Sequence, residues 1–157
     1  MKAIEIIAVG KSASSAYEPI IQDYAKRLHW PLKIHEIESK HKQSAQMRED
    51  ENKRILERLN ASRNAGNSFV IALDEKGKSL KSLEFSARLQ ALQNSGQNHL
   101  ILMIGGADGL SDEVKKSCDL LLSFGQQTWP HILVRVMVLE QIYRAQQILA
   151  GHPYHRE

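Results

Sequence analysis

The chain is poor in cysteine, with Cys118 alone among 157 residues. No disulfide can close within it, and neither a CxxC redox pair nor a cysteine-based zinc site can be built. Cys118 precedes an apolar run, the setting of a buried structural thiol rather than of a nucleophile. Long hydrophobic runs are missing too. Leu100 to Ile104 and Ile132 to Val134 fall far short of the roughly 20 residues that a bilayer-spanning helix needs. The opening Met1-Lys2-Ala3-Ile4-Glu5 carries no export-signal pattern. Together these absences predict a cytoplasmic protein with no membrane partner.

Nucleotide and metal motifs are likewise absent. There is no GxxxxGK[ST], and Gly105-Gly106-Ala107-Asp108-Gly109 is not GxGxxG, so the P-loop and dinucleotide readings lose their main support. No HExxH occurs. His152 and His155, in a segment without helical signals, form a poor metal pair, and no metal is expected.

What remains is the composition of an ordinary globular protein: 42% hydrophobic, 25% charged, 17.8 kDa. That length suits one domain with its own core, spanning 1–157, and is too short for two. The net charge of +3 and pI near 9.0 identify an RNA binder only weakly. Its distribution says more. Residues 40–64 hold seven Lys/Arg against four acids. Two readings stand level there: a phosphate-contacting face, or a solvated helix laced with pairs such as Glu49 with Lys53 and Asp50 with Arg54.

Short apolar runs alternate with helical patterns, the signature of βαβ units. Five strands are predicted, at Ala3–Val9, Leu32–Ile37, Phe69–Leu73, Leu100–Ile104 and Leu120–Phe124. The runs at 69, 100 and 120 are continuously apolar, as central parallel strands buried on both faces must be. Between them Tyr17, Ile20, Ile21, Tyr24 and Leu28 recur at helical spacing, as do Ile55, Leu56 and Leu59, then Leu83, Leu89 and Leu92. The fold class is α/β, a three-layer, mostly parallel sheet.

The last helix is different. Pro130 suits its first turn, and Gly151 with Pro153 stops it near Ala150. From Ile132 to Leu139 almost no polar face remains. A helix apolar all round has to be buried on several sides, which in so small a domain points to a two-fold homodimer, with a central helix of a monomer as the alternative.

In open parallel sheets ligands bind at the carboxyl ends of the strands. Three predicted strand ends lead into glycine: Asp74-Glu75-Lys76-Gly77-Lys78, Gly105 to Leu110, and Gly125-Gln126-Gln127-Thr128-Trp129-Pro130. Three such loops on neighbouring strands mark a small-molecule site more strongly than one, since glycine lets backbone amides approach a ligand. Ser111 is placed to cap a helix whose first turn holds Asp112 and Glu113. Those acids would repel a phosphate there, so the site suits a ligand without pyrophosphate. The ending Gly151-His152-Pro153-Tyr154-His155-Arg156-Glu157 concentrates aromatic and cationic groups able to stack on an RNA base and hold its phosphate, although chain ends are commonly without consequence.

Along its whole length the chain resembles the smallest SPOUT methyltransferases, most closely the bacterial 23S rRNA pseudouridine N3-methyltransferase family. The matching pieces are Val9-Gly10-Lys11, Leu73-Asp74 with Gly77-Lys78, Ile104-Gly105-Gly106 with Gly109-Leu110, and Pro130-His131 with Arg135-Val136. Glu140-Gln141, Tyr143-Arg144-Ala145 and His152-Pro153-Tyr154-His155 complete the series, and the order and spacing of these pieces are specific. The resemblance implies a C-terminal trefoil knot, with the knotted, cofactor-binding part over about 69–157. It implies S-adenosyl-L-methionine as cofactor, held by Leu73, Gly105, Phe124, Gly125, Gln126, Gln127, Thr128 and Trp129, and a homodimer acting on ribosomal RNA within the large subunit or 70S ribosome.

The implied reaction is methyl transfer to N3 of a pseudouridine, which requires that N3 lose its proton and that methyl and nitrogen be held in line. Candidate catalytic residues are His155 or Glu140 near that proton, with Arg135 and Tyr154 positioning the base or its phosphate. In a dimer the tail of one subunit can complete the site of the other. Two rivals predict other behaviour. A non-catalytic ribosome-binding factor would bind RNA without S-adenosylmethionine, and a nicotinamide oxidoreductase would bind a dinucleotide.

Overall fold

The computed structural model describes residues 1–63 and 67–157. Along the chain come β1 (Ala3–Val9), α1 (Glu18–Arg27), β2 (Leu32–Ile37), α2 (Ser44–Arg63), β3 (Ser68–Ser79), α3 (Ser82–Asn94), β4 (His99–Ile104), α4 (Asp112–Lys116), β5 (Leu120–Ser123) and α5 (His131–Leu149). The strands form one sheet in the order β2-β1-β4-β3-β5, every pairing parallel. All five expected strands are present. β3 is longer than its apolar run, because beyond Leu73 it continues as a polar segment that pairs again with β5.

The two-residue period of a strand sorts the core into two layers. Leu100, Leu102 and Ile104 of β4 join Ile4, Ile6, Phe69 and Ile71 beneath α1, α3 and α5, which contribute Ile21, Phe85, Leu89, Leu139 and Ile142. Ile101 and Met103 turn the other way and join Ile7, Val70 and Ala72 beneath α2 and α4, which contribute Ile55, Leu59 and Val114. Covered on both faces, β4 is buried from Leu100 to Ile104. Each such side chain contributes roughly 1.5–3 kcal/mol of transfer free energy. Two positions of the expected helical stripes face outward instead: Ile20 and Leu83 are exposed. On α3 the small Ser86 takes the inward place, donating to the Ala145 carbonyl of α5, and its size lets the two helices approach.

Polar ties set how the outer elements close on the sheet. Gln146 of α5 accepts the amide of His29 at 2.7 Å, which joins the α1–β2 turn to the last helix. Arg63 at the end of α2 donates to the Ser117 carbonyl behind α4. At the amino end of the sheet Glu5 accepts from Ser62 of α2 and lies within 2.9 Å of the imidazoles of His35 and His99. Burial acts to raise the Glu5 carboxyl, and its hydrogen bonds outweigh that and hold it below the usual range.

The second pass of β3 along β5 is the least ordinary feature. Leu122 faces Leu73 and then Lys78, so residues 74–77 bulge out and the chain comes back across β5. Gly77 rests on the strand it crosses. A Cβ there would stand 2.7 Å from the backbone of Leu121 and Leu122. Glycine is demanded at this point by close approach of two backbones rather than by an unusual φ.

Candidate active site

The carboxyl ends of β3, β4 and β5 open into a cleft of about 710 Å³. Its floor is apolar, from Leu73, Ile104 and Leu122. Its walls are the three glycine-containing loops and the first turn of α5. This is the size and make-up of a small-molecule site.

Each loop is held from behind. In the first, Asp74 pairs with Lys115 of α4 at 2.9 Å and accepts the Lys76 amide. Burial acts to raise the Asp74 carboxyl, but Lys115 and the amide prevail and hold it below the ordinary value. The second loop, Gly105 to Leu110, leans on α2. Arg48 donates to the carbonyls of Asp108 and Leu110 at 3.0 Å each, and Asn52 accepts the Ser111 amide at 2.8 Å. Ser111 caps α4 by accepting the Val114 amide, as its position predicts. Gly105 admits no side chain, since a Cβ would meet the Gly109 carbonyl carbon at 2.9 Å. In the third loop Gly125 has φ +113°, and the Ser123 hydroxyl accepts its amide and shares its one proton between the carbonyls of Gly125 at 2.9 Å and Glu75 at 3.1 Å, the latter a link between the first and third loops.

The electrostatic outcome follows from these ties. Arg48 and Lys115 point at the cleft but are occupied with carbonyls and with Asp74. Glu75, which accepts a 3.3 Å hydrogen bond from Thr128, and Asp108 are left at the rim without a cationic partner among the described residues. Lys76 is the one lining Lys or Arg whose charged group has neither an ion pair nor a hydrogen bond among the described residues, so two free carboxylates stand against one free cation, and the wall can receive a ligand that carries positive charge.

Seven of the eight residues expected around the cofactor line this cleft: Leu73, Gly105, Phe124, Gly125, Gln127, Thr128 and Trp129. Gln126 instead lines a neighbouring hollow with Gly77 and Ser79. The expected catalytic residues are not among the lining. Arg135 is 1% exposed and uses its two terminal guanidinium nitrogens on Glu36 at 2.6 Å and on the carbonyls of Val9 and Gly10, while its buried Nε has no partner among the described residues. It ties the ends of β1 and β2 to α5, so within one chain it is not free to hold a substrate base. Glu140, Tyr154 and His155 do come together, but lower on α5. Glu140 pairs with Arg144 at 2.6 Å and accepts from Tyr154 at 3.2 Å, and Arg144 in turn meets His155 Nδ1 at 3.2 Å. Burial and the Glu140 carboxylate push the Tyr154 phenol up to about 12, so it keeps its proton at neutral pH.

Of the basic stretch at 40–64, position 64 lies outside the described residues, and the rest resolves mainly into structure. Asp50 and Arg54 form their pair at 2.9 Å, Arg58 donates to Ser62, and Arg48 and Arg63 bind carbonyls. No Glu49–Lys53 pair forms among the described residues. Sequence reasoning missed that α2 supports the second loop. One signal was present, because Met47, Glu51, Ile55 and Leu59 lie four apart and put a carboxylate on the core face. Glu51 is 7% exposed, packs against Gly106, and has no hydrogen-bond partner among the described residues. Burial first, and then Asp108 and Asp50, raise its carboxyl above the usual value.

Known proteins match this chain throughout. A family model described as "Predicted SPOUT methyltransferase" matches residues 1–155. The protein named Ribosomal RNA large subunit methyltransferase H in Rhodospirillum centenum is 43% identical over 151 residues, covering 96% of this chain and 97% of its own. Its namesake in Paramagnetospirillum magneticum is 41% identical over 152 residues, with the same coverages. The one in Zymomonas mobilis is 36% identical over 154 residues, with 98% of each chain covered. Among solved structures, a probable methylase family protein from Haemophilus influenzae superposes with a TM-score of 0.59 over 99% of this chain and 70% of that one. At 12% identity that likeness is one of fold alone.

Proposed function

The chain belongs to the SPOUT methyltransferase family, and on that premise we propose that it transfers the methyl group of S-adenosylmethionine to N3 of a pseudouridine in 23S rRNA. The carrying observation is the full-length identity to proteins named as large-subunit rRNA methyltransferases, at 43% and 41% for two of them. A site in one piece at the strand ends stands beside it.

The cleft suits the cofactor on its own chemistry. An apolar floor can take the adenine, exposed loop backbone can meet its polar edge, and Glu75 and Asp108 offer negative charge to a ligand bearing a sulfonium and an ammonium. When bound, the cofactor supplies an electrophilic methyl carbon. The part played by this chain is to orient and to exclude water: the ties from Arg48, Asn52, Ser123 and Lys115 hold the loops from behind and leave the face toward the cleft open. Trp129, 38% exposed at the rim, is placed to cover what enters.

The proposal extends to assembly and place of work. The single domain carries its knotted, cofactor-binding part over about 69–157, and the crossing at Gly77 is where the chain would thread. Ile132, Leu133, Val136 and Met137 of α5 are only partly covered within one chain, which supports a homodimer through this helix. The substrate is RNA in the large subunit or assembled ribosome, in the cytoplasm. No described helix is long and apolar enough to cross a membrane.

Calorimetric titration with S-adenosylmethionine, followed by incubation with unmethylated ribosomes and labelled cofactor, tests this reading. Saturable binding and a labelled N3-methylpseudouridine in 23S rRNA are expected. Absence of cofactor binding, with and without ribosomes, would overturn it.

A further inference from the structure

We infer that His131 is the group that takes the proton from the methylated nitrogen, an inference that rests on the methyl-transfer reading above. His131 is the first residue of α5 and forms part of the cleft wall beside Trp129, Pro130 and Val134. No other histidine lines that cleft among the described residues. It makes no hydrogen bond within the chain among the described residues, and neither of its ring nitrogens is among the buried atoms lacking a partner, so the imidazole can meet an incoming group.

The chain makes room for this ring. Gly10, at φ +97°, follows β1, and a Cβ there would stand 2.9 Å from His131 Nε2 and 3.3 Å from its Cδ2. Glycine at this point is doubly required, by its backbone and by the imidazole lying on it. Behind the ring Arg135 is anchored to Glu36 and to the Gly10 carbonyl, so the positive charge one turn along the helix cannot swing away. Burial, and then Arg135, hold the His131 imidazole below its ordinary value. At neutral pH it is therefore neutral and able to accept a proton.

The charged groups around it do not cancel that state. Arg135 is on its own helix, with Glu36 of β2 behind it. On the cleft wall Asp74 is committed to Lys115 and Arg48 to two carbonyls, and the loops add Glu75, Lys76 and Asp108 at the rim. By contrast, His155 has its Nδ1 against Arg144 and its Nε2 buried, in the cluster lower on α5.

The step balances. The N3 proton passes to a ring nitrogen of neutral His131, giving imidazolium. The N3 electron pair forms the new bond to the methyl carbon, and the old carbon–sulfur bond leaves its electrons on sulfur, which becomes a neutral thioether. One positive charge enters on sulfonium and one leaves on imidazolium. Arg135 then favours release of that proton to water.

The test compares the unmodified protein with His131→Gln and His131→Asn. NMR titration of the unloaded protein should show the His131 ring titrating below the ordinary imidazole value and freely in solvent. Calorimetry should give both variants an S-adenosylmethionine affinity within about threefold of the unmodified protein. Single-turnover methylation of unmethylated ribosomes should then fall roughly 100-fold, within the range typical of lost general-base catalysis. The pH profile carries the decision: a plateau from below neutrality in the unmodified protein should become a rate that keeps rising with pH in the variants, as N3–H ionises unaided. Free imidazole should partly restore His131→Gly. A variant that keeps the plateau and the rate overturns the assignment. A variant that loses cofactor affinity with its rate overturns it too, because His131 is then a cofactor contact. Failure of the unmodified protein to bind S-adenosylmethionine strikes the methyltransferase reading itself and is seen before any variant is made.

Discussion

The cleft at the strand ends and the cluster on the lower half of α5 are both rich in polar side chains, but they hold them in opposite ways. In the cluster, Glu140 is shared by Arg144, Gln141 and Tyr154, and Arg144 also meets His155. Nearly all of its capacity is consumed within the chain. In the cleft two of the three strong cations are spent on structure, through Arg48 to carbonyls and Lys115 to Asp74, while backbone, His131, Lys76 and the rim carboxylates stay open. A ligand can enter the cleft without breaking anything. It can use the cluster only by exchanging partners. A rise of about 1.5 Å per helical residue sets His131 and Glu140 roughly 13 Å apart along α5, so one ligand atom does not meet both within one chain.

The largest expected effect tests whether Arg135 belongs to the scaffold. Arg135→Met takes the guanidinium away from Glu36 and two carbonyls, and urea denaturation should report a loss of about 3 kcal/mol, the low end for a broken buried pair because Glu36 keeps the Ser12 amide and some water. Unchanged stability with lost methylation would instead move Arg135 to the substrate. Next comes Gly77→Ala. Its methyl meets backbone that cannot turn aside, and about 2 kcal/mol should be lost, with weaker binding of the methyl donor by calorimetry.

Glu140→Gln sharpens the separation of the two regions. Loss of its charge-assisted bonds to Arg144 should lower stability by roughly 1 kcal/mol, discounted for the partial exposure of both groups, and leave S-adenosylmethionine affinity within about twofold. A tenfold fall in affinity would break the comparison. The smallest effect has the opposite sign. The Glu51 carboxyl is raised in the folded protein, so the chain is penalised as pH climbs from the unfolded value, about 4.3, through the folded one. Glu51→Gln should therefore stabilise the protein at pH 7 and be neutral near pH 4, as urea denaturation at the two pH values would show. Equal effects at both pH values would show that Glu51 is partnered in solution.

Much of the site was legible because strand ends and glycines are local signals. The apolar runs at 69, 100 and 120 mark three strands whose ends carry glycine loops, the sheet order β4-β3-β5 sets those loops side by side, and the cleft lies there. The longer reach of β3 was not legible. Asp74 to Ser79 has no apolar pattern, and its second pairing with β5 exists only because β5 is already in place to be crossed. The roles of Arg135 and Glu140 could not be read from the sequence for a related reason. A charge in an apolar helix signals importance, but whether its partner is a substrate, another subunit or Glu36 depends on a contact 99 residues away.

What the sequence determined by itself is periodic and local: five strands from apolar runs, helices from three-to-four spacing, the Ser111 cap, and the stop of α5 at Gly151, whose φ is +71°. Composition likewise set the class of protein. The tertiary structure alone decided which polar groups remain free. Arg48 and Arg135 are equal on paper, and each was spent on carbonyls brought close by folding, while His131 was left open by a glycine more than a hundred residues earlier. Freedom to react is the residue of all other pairings, and those are settled only when the whole chain is packed.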